Sequence, residues 1–216
     1  MLIQTAINLQ APNGTIIVES GNYAENVTVN KPLILQGEQA GIACDGSPSS
    51  ESIISGTGGS VVTVAADGVT LDGFSITGPT SQFGIAANAK SNLILKNNRI
   101  YNVGNIFSGG PVYGIYFDAG TTNSNNLSIV DNCVDNIAST SLTGFSAGGI
   151  GILGSTSTGI LNGLSVQRNL LSNINVNNST WPTGKIAYGL IMNVGGTGSF
   201  LSNTGKIVNT TIKDNE

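Results

Sequence analysis

"LILKNNRIYN" (93–102), "LSIVDNCVDN" (127–136) and "LSVQRNLLSN" (164–173) are three versions of one phrase, and "NTTIKDNE" (209–216) is a fainter fourth. Each carries an apolar alternation, a polar step containing Asn, and further apolar residues. Aligned on the second apolar residue, the copies place Leu71, Leu95, Ile129, Val166 and Ile212 in one column. Three positions on stand Phe74, Asn98, Asn132, Asn169 and Asn215, and two further on Ile76, Ile100, Val134 and Leu171. A second marker precedes most copies: "FGIAA" (83–87), "YGIYF" (113–117), "GGIGI" (148–152) and "YGLIM" (188–192). The unit is a Gly-aliphatic strand, a loop, and a two-part strand bent at the Asn step.

One such unit cannot bury its apolar side alone, whereas a stack of them can, which makes the pattern a solenoid. Short strands and tight polar bends, with no helices between, predict an all-β chain: a parallel β-helix of about six coils. In it Asn98, Asn132 and Asn169 form a structural ladder at the bend, Asn being tolerant of unusual backbone angles and prone to local hydrogen bonds. The copies lie 24, 34, 37 and 46 residues apart, and the excess falls in loops that lengthen toward the C-terminus. Such insertions gather on particular faces of a repeat protein, and loops on a rigid scaffold are where function usually sits.

Before the repeats, residues 2–10 bring Leu2, Ile3, Ala6, Ile7 and Leu9 or Gln10 toward one helical face, and "APNG" (11–14) ends the helix. Three strands follow, at 15–19, 26–30 and 33–36, broken at Ser20-Gly21-Asn22 and Lys31-Pro32. The chain thus reads as a single β-helix domain over 1–216, with a cap helix in 1–12 and coils in 13–216. Because "TIKDNE" stops within a repeat, the expectation is a fragment or module of a longer chain.

Composition narrows the function. Only 9% of the 216 residues are charged, the net charge is −4, and no basic cluster appears, which argues against nucleic acid as a partner. No apolar run approaches the roughly 18 residues of a membrane span, so no membrane insertion is expected. The first ten residues lack the basic start and apolar stretch of a signal peptide, yet the uncharged polar surface suits an extracellular or cell-surface setting. The two cysteines, Cys44 and Cys133, are expected to be free and partly buried, since nothing in their contexts pairs them. With two isolated cysteines and no His, a structural zinc site is not expected.

"GTIIVESGNYAENVTVNKPLILQGE" (14–38) resembles the opening coil of right-handed parallel β-helix proteins of the pectin-lyase-like superfamily. "VTLDGFSITG" (69–78) followed by "NLILKNNRIYN" (92–102) resembles their parallel β-helix repeats, and the resemblance covers essentially the whole chain. It implies the fold; the activity it leaves open, because the fold hosts lyases, hydrolases, esterases, epimerases, adhesins and tailspikes. Hydrolases of the group carry paired Asp and a Gly-His-Gly step, and the alginate-type epimerases a His motif; this chain has no adjacent Asp pair and no His. Gly21, Tyr23 and Glu25 resemble a stretch of pectin methylesterases, without their later Asp–Asp–Arg site. Pectate lyases hold calcium in clustered carboxylates, for which the weak metal candidates here are Asp118, Asp131 and Asp135, with Arg99 and Arg168 near in the repeat frame. Asp131 and Arg168 occupy neighbouring coils, so a surface ion pair is the simpler reading.

Aromatics offer a different chemistry. Tyr101, Phe107, Tyr113, Tyr116, Phe145, Trp181 and Tyr188 lie in or beside the loops before the Gly-aliphatic strand. A ring among Asn, Ser and Thr suits the apolar face of a sugar, and Phe107, Tyr113, Phe145, Trp181 and Tyr188 are the candidate glycan-binding residues. With no catalytic residue identified, the expected function is a non-catalytic extracellular module, structural or adhesive, whose partner is a polysaccharide or cell-surface glycan. The alternatives are a polysaccharide lyase using calcium as its cofactor, and a structural protein that associates end to end.

Overall fold

The computed structural model describes residues 1–44, 49–107, 109–140, 146–154, 160–176, 186–194 and 206–216. It is a parallel β-helix with one short helix in front. Three parallel sheets run the length of the stack. The first contains Gly14–Ile17, Leu33–Gln36, Thr70–Asp72, Leu93–Lys96, Ser124–Val130 and Ile160–Gln167, the last of which pairs with both Lys206–Val208 and Thr211–Lys213. The second is built from Gly21–Tyr23, Ser52–Ser55, Phe74–Gly78, Arg99–Val103, Cys133–Ser139 and Leu170–Val176. The third is built from Val27–Val29, Ser60–Val64, Phe83–Asn88, Val112–Asp118, Ala147–Gly154 and Ala187–Val194. The chain visits them in turn, so each strand pairs with its equivalents one coil away. The register joins Leu71 to Leu95, Leu95 to Ile129, Ile129 to Val166 and Val166 to Ile212, the column set by the repeated phrase.

Alternation along the strands sends one side chain in and the next out. The inward set is a continuous aliphatic column in each sheet, with Leu71, Ile129, Val166, Ile76, Ile100, Val134, Ile85 and Ile150 all fully buried. Between the first and second sheets the backbone turns a corner, and ladder hydrogen bonds cannot cover every polar group there. Side-chain amides fill the gap. Asn132 Oδ1 accepts from the backbone N–H of Asn98 at 3.0 Å and from its Nδ2 at 3.1 Å. Asn132 Nδ2 donates down to the carbonyl of Leu95 and up to Asn169 Oδ1, each at 2.9 Å. Asn169 repeats the pattern with Ile129 and Asn215, and Asn98 Oδ1 accepts from the N–H of Phe74 below. The left-handed backbone expected at these Asn residues sits one residue earlier: Gly73, Asn97, Asp131, Arg168 and Asp214 have φ of 77°, 56°, 57°, 50° and 53°. The preceding residue makes the turn, and the ladder Asn pairs the polar groups that the turn strands.

The helix spans Ile3–Leu9 and closes the first coil. Ile3 and Ile7 are buried on the aliphatic column, whereas Leu2 and Leu9 point away, 52% and 78% exposed, and are not part of the packed face. Its sealing is done by polar side chains. Glu25 accepts from the backbone N–H groups of Ile3 and Gln4 at 2.7 and 3.0 Å, a carboxylate at a helix N-terminus. Gln4 bonds both the N–H and the C=O of Thr28, at 2.7 and 3.2 Å, as a neighbouring strand would. That blunts the open edge of Val27–Val29.

Two further expectations are corrected. The first strand covers Gly14–Ile17 rather than 15–19, and the supposed break at 20–22 contains the strand Gly21–Tyr23, which begins the second sheet. The cysteines are not free: Cys44 and Cys133 form a disulfide, with Cα atoms 5.6 Å apart. Residues 37–44 cross the outer corner and bring Cys44 to Cys133, a proximity that depends on a long excursion and not on the repeat.

Candidate functional site

The third sheet turns a mixed face outward. The register aligns Phe83 with Tyr113 and Tyr113 with Gly148, which aligns with Tyr188. A neighbouring outward column aligns Ala86 with Tyr116, then Gly151. A third aligns Asn88 with Asp118. Large rings and missing side chains thus alternate along the stack. Tyr113 is only 3% exposed although it points out of the coil. Its ring lies over Gly148 and Gly151, where an added Cβ would come within 2.4 and 2.7 Å of it. The two glycines form a notch that lays Tyr113 flat.

On that support sits an aromatic shelf. Phe83 and Tyr116 stack almost parallel, with ring centroids 4.5 Å apart and planes 7° apart. Tyr113 leans on Tyr116 at 5.5 Å and 36°. Below the shelf runs an open groove of ≈ 360 Å³, bordered by Ser60, Thr63, Ala86, Asn88 and Lys90 together with Phe83 and Tyr116. Rings, small floor residues and a rim of hydroxyl, amide and ammonium groups make an amphipathic site. Burial pushes the Tyr116 phenol up to about 12, and the Asp118 carboxylate adds to this by its charge and by accepting a hydrogen bond from the phenol O–H. Tyr116 is therefore a neutral donor at ordinary pH. Asp118 also accepts from the backbone N–H of Gly120 at 2.9 Å, which fixes the carboxylate next to Asn88 of the groove in the register.

Of the glycan candidates singled out in the sequence, the structure describes Phe107, Tyr113 and Tyr188, and it groups the two tyrosines, which share a column and interact electrostatically. Tyr113 supports the shelf, and Tyr188 follows it in the same column. Phe107 sits in the loop between the second and third sheets, half-buried against the core, with its carbonyl accepting from Thr140 Oγ1 at 2.9 Å. Phe145 and Trp181 lie outside the described residues. The three candidate metal carboxylates face different ways. Asp131 holds Arg168 through two contacts of 2.7 Å at the first corner. Asp135 accepts from Ser172 and Asn173 on the second sheet, both at 2.7 Å. Asp118 lies on the third, engaged with Tyr116 and Gly120, and no group of three or more metal-ligating side chains occurs among the described residues. Arg99 is likewise engaged, 3.1 Å from Glu51 and over the Tyr101 ring at 4.0 Å. Phe83 was missed, although "FGIAA" placed over "YGIYF" aligns it with Tyr113.

No family model matches the chain, and no curated protein matches it. Two solved structures are similar. One is the pectin methylesterase from Aspergillus niger in deglycosylated form, 14% identical, with a TM-score of 0.42, covering 100% of this chain and 84% of that one. The other is the same enzyme in penultimately deglycosylated form, 16% identical, with a TM-score of 0.36, covering 98% and 86%. The expectation of a non-catalytic module is corrected at this point. The similar structures are of an esterase, at an identity that speaks for the fold alone. No helix among the described residues is long and apolar enough to cross a membrane.

Proposed function

We propose that the protein is a carbohydrate-active β-helix protein that binds a polysaccharide across the outer face of its third sheet. The observation that carries this reading is the Phe83–Tyr116 shelf, two nearly parallel rings beside a groove rimmed by Asn88, Lys90, Ser60 and Thr63. A pyranose presents an apolar face to such rings and hydroxyls to such a rim. Asp118 is the carboxylate of this face among the described residues, and Tyr116 beside it keeps its proton. The pair supplies an acceptor and a donor beside the groove, and we assign Asp118 as the general base of a hydrolysis: it takes a proton from the water that adds to the substrate and returns it to the oxygen of the bond that breaks. The Cys44–Cys133 disulfide favours an oxidising, extracytoplasmic setting, where polysaccharides are met.

The test is calorimetric titration with pectin, its de-esterified form and a neutral β-glucan, followed by assays for reducing ends, unsaturated products and released methanol. Saturable binding to one of them, lost in Tyr116→Ala, supports the site. Product formation that disappears in Asp118→Asn while binding persists supports the assigned role. Binding unaffected by Phe83→Ala and Tyr116→Ala would place the saccharide elsewhere, and turnover unchanged in Asp118→Asn would remove Asp118 from the chemistry.

A further inference from the structure

In a solenoid each coil touches only its neighbours. One segment breaks that rule. It is residues 37–44, which leave the first sheet after Gln36, in the coil of Leu35; residues 49–51 lead into the second sheet at Ser52. Gln39 N–H donates to the carbonyl of Gly73 at 3.2 Å, one coil up, where an added Cβ on Gly73 would meet the Ala40 nitrogen at 2.1 Å. Gly41 N–H donates to Asp72 Oδ1 at 3.0 Å. Asp72 is itself 3% exposed, and holds Asn97 Nδ2 at 2.7 Å and Lys96 at 3.2 Å from the coil above it. Cys44 N–H reaches the carbonyl of Asp131 at 3.2 Å, and its sulfur bonds Cys133. By the register Leu35–Leu71–Leu95–Ile129, that end lies three coils above the start. The returning limb crosses coils too: Glu51 meets Ser75 Oγ at 2.5 Å and Arg99 at 3.1 Å.

We propose that this segment is a thiol-released brace running along the axis of the stack. With the disulfide closed, the coils from Leu35 to Ile129 open as one unit, because any coil that separates must also strain the strap. Reduction cuts the covalent anchor and leaves the strap held by hydrogen bonds alone, from Gly37 and Gly41 to Asp72, from Gln39 to Gly73 and from Cys44 to Asp131. It lifts from the corner, Asp72 and Asn97 become accessible, and the coils open separately. The protein is thereby built to keep its full cooperativity in oxidising surroundings and to lose it in thiol-rich ones.

The experiment is hydrogen exchange and thermal unfolding of the native protein with and without tris(carboxyethyl)phosphine, beside the double variant Cys44→Ala/Cys133→Ala. Reduction is expected to lower the midpoint by on the order of 10 °C and to broaden the transition. The amides of Gly41 and Cys44 should exchange rapidly, while those of Asn98 and Asn132 stay protected. The double variant should match the reduced protein. Unchanged protection at Gly41 and Cys44 after reduction would overturn the brace. So would a single sharp transition with uniform loss of protection along the chain, since the strap would then add chain constraint and no coupling between coils.

Discussion

The corner between the first and second sheets and the outer face of the third sheet are built from the same coils in opposite ways. At the corner, successive coils offer the same amide at the same place, Asn98, Asn132, Asn169 and Asn215, each bonded to the next. On the face, successive coils differ: Phe83, Tyr113 and Gly148 in one column, Ala86, Tyr116 and Gly151 in the next. Repetition marks what holds the stack together. Departure from repetition marks where the surface has been shaped, because a ring can lie flat only where the coil above leaves a gap.

The comparison breaks most readily at the core beneath the corner. Ile129 is fully buried, so Ile129→Asp places an unpaired charge in the aliphatic column. A loss above about 4 kcal/mol is expected in urea melts; a midpoint near that of the unaltered protein would contradict the inward register. Asn132→Ala comes next. It strands the N–H of Asn98, the carbonyl of Leu95 and part of Asn169, all in buried surroundings. A cost of about 2–4 kcal/mol is expected, with saccharide binding retained below the transition. Loss of binding in a still-folded Asn132→Ala would erase the division between corner and face.

Gly148→Ala sharpens the other half. The new methyl meets the Tyr113 ring, which must swing off its seat. A destabilisation of about 1–3 kcal/mol is expected, together with weaker saccharide binding, because Tyr113 supports Tyr116. Full affinity in this variant would show that the shelf does not depend on the notch. The smallest effect is expected at Arg168, 53% exposed and left-handed at φ 50°. Arg168→Asn removes the ion pair with Asp131 and relieves the backbone strain, two changes that oppose each other. The thermal midpoint should stay where it is, and a clear drop would give that pair a structural weight that its exposure denies it.

What could be read from the sequence divides along the same line. The columns of Leu95 and Asn98 were legible because each copy of the phrase states them again, and phase-locked residues survive loops of any length. The cap helix was legible in outline from Ile3 and Ile7, though not its sealing by Glu25 and Gln4, which act across more than twenty residues. The disulfide was not legible, since Cys44 lies in an excursion outside the repeat frame. Nor was the shelf, because Gly148 and Gly151 look like ordinary small residues until the register sets Tyr113 over them. Tyr113 and Tyr116 drew attention in the sequence beside the loop aromatics, but Phe83, the ring that stacks on Tyr116, did not.

The most direct measurement is the affinity of the native protein and of Tyr116→Ala for the same saccharide, pectin first, at a temperature where both are folded. The account predicts saturable binding for the native chain and a loss of roughly tenfold or more in the variant, with the urea midpoint little changed. Equal affinity in the two proteins would contradict it, and would leave the shelf as packing on the outside of the coil.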